Sequence, residues 1–203
     1  MVIGPDRMPP IPPDRLTPAQ RTAAEEIAAG RRGEVYGPFV PALRSPELTR
    51  RLQALGEYLR YDHALAPRLR EMAILLTARE WGQEYEWAVH APIALDAGLA
   101  ADLVDAIADG RRPAAMRDDE ALLHDFVGEL LRRHQVGDET YAAAVRTFGE
   151  QGVIDLVGAV GYYATLAMIM NVARTPLPPG ATPRLRPVPG RELDVPRRTP
   201  DVD

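Results

Sequence analysis

The sequence contains no cysteine. That absence excludes disulfide staples, thiolate nucleophiles, peroxidatic dithiols and cysteine-ligated zinc, and it leaves the redox compartment open. Lysine is missing too, since every basic residue other than histidine is an arginine, so no Schiff base, PLP linkage or phosphate-loop lysine is available. Serine occurs once, at Ser45, where Pro46 and Glu47 follow at a predicted helix start. A capping role accounts for it, and serine-hydrolase chemistry drops out. Long apolar runs are scarce: the longest, residues 153–172, is interrupted by Asp155, Gly158, Gly161 and Asn171, and the N-terminus has no signal-peptide core. The expectation is a cytoplasmic protein with no membrane partner. A net charge of −5 with scattered arginines leaves no basic footprint, so no nucleic-acid partner is expected either. The chemistry left available is that of Glu, Asp, His, Tyr, Arg, Thr, Asn and Gln.

With 203 residues, 46% of them hydrophobic, the chain is long enough for one substantial core. Pro5, Pro9, Pro10, Pro12 and Pro13 predict an extended arm over residues 1–16. Thr17-Pro18-Ala19-Gln20 reads as a cap, a first-turn proline and a capping-box partner, opening a helix that Gly30 ends. The segment from Tyr36 to Pro41 is turn-rich and aromatic, suited to draping over a pocket. Leu48, Leu52, Leu55 and Leu59 recur at helical spacing up to about Tyr61, and Pro67 opens the next helix. Gly82 interrupts before a segment from Gln83 to Ala97 that Gly98 stops, with Pro92 predicting a bend, catalytic or incidental. Further helices follow over residues 99–108, from a cap at Asp118 or Asp119, and from Asp138 to Phe148. The last, Val153 to about Ala173, is apolar nearly all round, as a helix in a core or an oligomer interface would be. No run has the period of a strand, so the predicted fold is all-α, a single helical domain over 17–174. From residue 175 to 203 eight prolines and few apolar groups predict an extended tail, mobile or lying across a neighbouring subunit.

Chemistry concentrates in the stretch from Glu71 to His90. On a helix, Glu86 and His90 share one face four residues apart, placing a carboxylate to hold the imidazole. Glu71 has Ile74, Leu75 and Ala78 as helical neighbours, a low-dielectric setting in which a carboxyl group resists ionisation. Glu71, Glu86 and His90 are thus the catalytic candidates for proton transfer, with Gln83, Tyr85 and Trp87 as substrate-binding candidates. Spacing alone is not decisive, because Glu120 and His124 repeat it on a helix whose polar face is expected to see only water. A divalent metal held by this pair with Glu71 or His63 is a second reading. Against it, neither paired Glu-x-x-His motifs nor His-Glu-x-x-His occurs.

From Arg70-Glu71, through Gln83-Glu84-Tyr85-Glu86-Trp87-Ala88-Val89-His90, to the glycine eight residues on, the sequence resembles the carboxymuconolactone decarboxylase and alkylhydroperoxidase D-like family. The resemblance covers roughly residues 67–110, with a looser echo over 156–171. In the peroxidase branch a glutamate precedes a Cys-x-x-Cys-x-x-x-His motif. Glu71 and His90 match its glutamate and histidine, whereas Gln83 and Glu86 stand in place of the cysteines, which excludes dithiol peroxidase activity. In the decarboxylase branch a Glu-xxx-His motif resembles Glu86 and His90, and Glu71 is then a departure. The family implies an all-helical fold, trimers or hexamers, and decarboxylation without a cofactor. The resulting expectation is a lyase or isomerase acting on a small carboxylated or carbonyl-containing substrate. The alternative is a non-catalytic ligand-binding or structural oligomer.

Overall fold

The helix signals in the sequence become, in a computed structural model that describes residues 4–186, an all-helical protein with no strand among the described residues. The helices are α1 (Pro18–Ala29), α2 (Phe39–Ala42), α3 (Pro46–Glu57), α4 (Pro67–Trp81), α5 (Glu84–Asp96), α6 (Ala101–Ala108), α7 (Asp118–Arg133) and α8 (Asp138–Ala173). A 3₁₀ turn at Pro13–Arg15 precedes them, and a π turn at Tyr58–Asp62 follows α3.

The organising element is α4, which packs against α5, α7 and α8. Its apolar residues point two ways. Leu69, Met72, Ala73 and Leu75 enter a large core shared with α6, α7 and α8, while Ile74 joins a smaller one with Ile27, Phe39, Leu52, Leu59 and Leu166. A helix buried on both sides can carry a side chain such as Glu71 into low dielectric, as α4 does. Gly82 ends α4 with φ 59° and ψ 32°, a left-handed conformation that costs glycine little. α5 begins two residues later and packs back onto α4.

Several local expectations need correction. The capping box of Thr17 and Gln20 forms, but the Ser45 side chain caps nothing; it is the Ser45 carbonyl that accepts from the Thr49 amide and hydroxyl. Asp118 and Asp138 are first helical residues rather than caps, placed where the positive end of the helix favours a carboxylate. Glu120 does not face water: it is buried, accepts from the Arg117 amide at 2.9 Å and pairs with Arg68. Of the α3 leucines, Leu52 and Leu59 are buried but Leu48 and Leu55 are exposed, because α1 and α8 cover only part of that face. α5 is continuous through Pro92.

α8 joins the two helices expected over 138–148 and 153–173, and Gly149 departs from helical geometry between them with φ 71° and ψ 167°. Its outer face carries the apolar side chains of Ile154, Val157, Met168 and Val172, which the single chain leaves exposed. By length and composition α8 could cross a membrane, but its most apolar stretch is 61% buried against the protein, as a core helix is.

The proline-rich ends that are described lie on the chain itself. The Arg7 amide donates to the Ala173 carbonyl at 2.8 Å, and the Arg44 guanidinium donates to the Met8 and Pro9 carbonyls. At the other end, the amides of Arg184 and Leu185 donate to the two carboxylate oxygens of Glu84 at 2.9 and 3.0 Å, and the Arg184 side chain reaches Asp105 and Asp109. Expectations for residues 1–3 and 187–203 lie outside the described residues.

Candidate active site

Helices α4 and α5 bring Glu71 and His90 together although they are nineteen residues apart. Nδ1 of His90 lies 2.7 Å from Oε2 of Glu71, both side chains are buried, and the other Glu71 oxygen accepts from Nε of Arg70 at 3.2 Å. The ring is fixed from a second side by Tyr163, edge-on at 5.1 Å and 85°. This corrects the expectation that Glu86, four residues earlier on the same helix, holds the imidazole. Helical spacing puts Glu86 near His90, but the packed partner helix reaches the ring nitrogen.

The two carboxylates also exchange their expected electrostatics. Burial alone would raise the pKa of Glu71, but the hydrogen bond and charge of His90, with Arg70 beside it, bring it below the ordinary glutamate value. Glu86 is equally buried, and neither of its oxygens has a hydrogen-bond partner among the described residues. Burial, with nothing to oppose it, pushes its pKa well above the ordinary range. The carboxyl group that resists ionisation is therefore Glu86.

Glu86 and His90 face one recess, partly open to solvent. Its walls are aromatic and aliphatic: Tyr85 and Val89 from α5, Tyr162, Tyr163 and Leu166 from α8. Tyr162 and Tyr163 meet edge-on at 5.2 Å, and burial raises the Tyr162 phenol to about 12 and Tyr163 further. The Tyr162 hydroxyl, like Glu86, has no partner among the described residues. Tyr36 and Pro38 supply another wall, where the aromatic segment was expected to drape. Gly37 between them has φ +56°, and a Cβ there would sit 2.7 Å from the Tyr85 ring, so the segment can lie against Tyr85 only as glycine.

Two of the three substrate-binding candidates lie elsewhere. Tyr85 lines the recess, but Trp87 points into the large hydrophobic core, where its indole is packing. Gln83 caps α5: its side-chain oxygen accepts from the Tyr85 amide at 2.8 Å and its nitrogen donates to Asn171 at 2.9 Å. Asn171 in turn donates to the Trp81 carbonyl, closing the α4–α5 junction. Sequence reading missed Arg32, from the loop after α1, and Arg60, from the π turn, both of which line the recess. Among so many arginines spread along the chain, no spacing marked these two. No group of three or more His, Asp or Glu side chains suited to a metal ion occurs among the described residues.

Comparison with known proteins agrees with the helical fold. The pattern of the carboxymuconolactone decarboxylase family matches residues 46–122, from the start of α3 into α7, and so includes Glu71, Glu86 and His90. No curated protein matches the sequence. Among solved structures, an uncharacterised peroxidase-related protein with an alkylhydroperoxidase AhpD core from Ralstonia eutropha JMP134 has a TM-score of 0.69 at 18% identity, over 87% of this chain and 94% of that one. A protein of unknown function from Agrobacterium tumefaciens, suggested to be an AhpD antioxidant defence protein, has a TM-score of 0.59 at 19% identity, over 68% and 94% of the two chains. At such identities the likeness is one of fold. The family pattern thus runs through the helices that build the site, over residues 46–122, in a chain that shares the fold of these AhpD-like structures and has no cysteine.

Proposed function

We propose that the protein is a cofactor-independent lyase or isomerase that transfers protons at carbon in a small carbonyl-containing or carboxylated substrate. The observation that carries this reading is the division of labour between two buried carboxyl groups. One, Glu71, is bonded to Nδ1 of His90, and the other, Glu86, is unbonded, resists ionisation and faces the same recess as the imidazole. With Nδ1 engaged, Nε2 is the nitrogen left to take or give a proton at substrate carbon. Glu71 acts as a positioning residue, holding the ring and stabilising the imidazolium. Glu86, in its acid form, donates a hydrogen bond or a proton to the substrate, as a carboxyl group kept neutral by an apolar site does.

For isomerisation, His90 removes a proton from the carbon next to the carbonyl, and the electron pair moves onto the carbonyl oxygen. Glu86 and the Tyr162 hydroxyl are the donors available to that developing oxyanion. The imidazolium then returns the proton to a different carbon. For decarboxylation, the bond to the carboxylate breaks, carbon dioxide leaves, the pair again rests on the carbonyl oxygen, and the vacated carbon takes a proton from the imidazolium. We further propose a homo-oligomer, a trimer or hexamer, supported by the exposed side chains of Leu48, Leu55, Ile154 and Val172. Light scattering on the eluting protein measures that state, and a monomer would refute it.

The catalytic reading is tested by incubating the protein with a panel of β-keto acids and unsaturated keto acids in D₂O. Deuterium entering carbon is followed by NMR, with carbon dioxide release in parallel. Enzyme-dependent incorporation that disappears in His90→Ala is expected. Incorporation at the wild-type rate in His90→Ala would remove His90 from the mechanism.

A further inference from the structure

We propose that the recess recognises a carboxylate on its ligand through Arg32 and Arg60, so that the ligand is a small organic anion with its carboxylate against the arginines and its reacting carbon toward Glu86 and His90. This deepens the proposed function and names its substrate class.

The two arginines come from separate segments that close the recess, the loop after α1 and the π turn after α3. Neither forms an ion pair with a carboxylate among the described residues. Their neighbours do: Arg31 pairs with Asp62, Arg68 with Asp119 and Glu120, Arg70 with Glu71. Arg32 and Arg60 are instead fixed by uncharged groups. Nε of Arg32 donates to the Gln53 side chain at 2.8 Å, and its guanidinium lies 4.1 Å from the Phe39 ring centre and 5.3 Å from that of Tyr36. The Arg60 guanidinium lies 5.8 Å from the Tyr61 ring centre with Tyr36 also beside it, and an arginine keeps its charge at any physiological pH. Guanidinium groups held by aromatic faces and amides keep their charge uncancelled and their geometry set before a ligand arrives.

The acids of the site do not cancel that charge. Glu71 is engaged with His90 and Arg70 and does not line the recess, and burial disfavours the ionised form of Glu86. Two guanidinium groups without an ion-pair partner among the described residues therefore line the recess of a chain whose net charge is −5. Its remaining walls, tyrosine rings with Val89 and Leu166, suit a flat and mostly apolar body rather than a second charged group.

Calorimetric titration of the full chain with benzoate and with its neutral counterpart benzamide tests the inference without turnover. Wild type is compared with Arg32→Gln, Arg60→Gln and the double variant, with Arg31→Gln as an exposed control and circular dichroism reporting folding. Benzoate should bind at least about tenfold more tightly than benzamide, and each of the two pocket variants should lose about tenfold for benzoate, the worth of one hydrogen bond to a charged group. Arg31→Gln should not differ from wild type. Equal affinity for the two probes, no binding of benzoate, tighter binding of inorganic phosphate than benzoate, or undiminished benzoate binding by the folded double variant would overturn it. The two proposals fail separately. Selective benzoate binding with no turnover of any keto acid leaves the anion site standing and removes the reaction, whereas turnover without carboxylate selectivity does the reverse.

Discussion

Two polar regions on α5, one helical turn apart, are buried to a similar degree and furnished in opposite ways. At the N-terminus of the helix the polar side chains are matched to protein partners. Gln83 bonds the Tyr85 amide and Asn171, Asn171 bonds the Trp81 carbonyl, and Glu84 receives the amides of Arg184 and Leu185. In the recess, both oxygens of Glu86 and the hydroxyl of Tyr162 find no partner among the described residues. A buried polar group without a partner costs about 1–3 kcal/mol. The first region is architecture, joining α4, α5, α8 and the tail. The second keeps hydrogen-bonding capacity open where a ligand can use it, at a cost in stability that functional sites commonly carry. His90 combines the two conditions, with one nitrogen tied to Glu71 and its ring on the recess.

If the recess is built for chemistry, the largest effect belongs to His90. Once a substrate is in hand, His90→Ala should lower kcat by about 10³-fold, within the range of general acid–base contributions, while urea unfolding shows a folded protein. Next comes Glu71→Ala, which leaves a buried imidazole without its carboxylate and should cost about 3 kcal/mol of stability. The sign of its pH dependence follows from its lowered pKa. The folded state favours the ionised form, so Glu71 contributes stability above its unfolded value of 4.5, and that contribution is lost as pH falls through its folded value. Denaturation midpoints of wild type and variant should therefore converge in acid.

Glu86→Gln should behave in the opposite sense. The raised pKa of Glu86 means that the folded state keeps a proton the unfolded state gives up, so wild-type stability falls as pH rises from 4.5 toward the folded value. Replacing the acid with an amide should remove that slope and make the variant more stable than wild type at neutral pH, while kcat falls by about 10²-fold for want of the acid. Thermal melts across the pH range read this directly, and a variant with unchanged slope would remove Glu86 from the comparison. The smallest effect belongs to the satisfied region. Asn171→Ala should cost about 1 kcal/mol, as removal of a neutral hydrogen-bonded side chain typically does, with little change in pH profile. An altered pH profile would make the junction part of the site after all.

The helical fold was readable because its punctuation was strong: Thr17 to Gln20, Pro67, Gly82 and Gly98 each stop or start a helix for a local reason. The apolar stripes were less informative about burial. Leu48 and Leu55 continue a stripe that this chain's neighbouring helices do not cover. Glu71, Glu86 and His90 stood out because carboxylates among apolar neighbours are costly, but their roles could not be read from spacing. Spacing describes one helix, and the partner that bonds His90 sits on another. Trp87 and Tyr85 are two residues apart on one helix yet face core and recess respectively, a distinction set by which helix packs on which side. Arg32 and Arg60 carried no local signal, since only the closure of loop and π turn over α8 brings them to the recess.

The central claim, that Glu86 is the carboxyl group holding a proton while Glu71 is ionised against His90, has a direct measurement. Titration of carbon-13-labelled glutamate side chains by NMR should show one carboxyl carbon titrating well above the ordinary glutamate range. That resonance should vanish in Glu86→Gln and persist in Glu71→Gln. If no carboxyl carbon titrates above the ordinary range, or if the anomalous one disappears with Glu71, the assignment of the two acids is wrong.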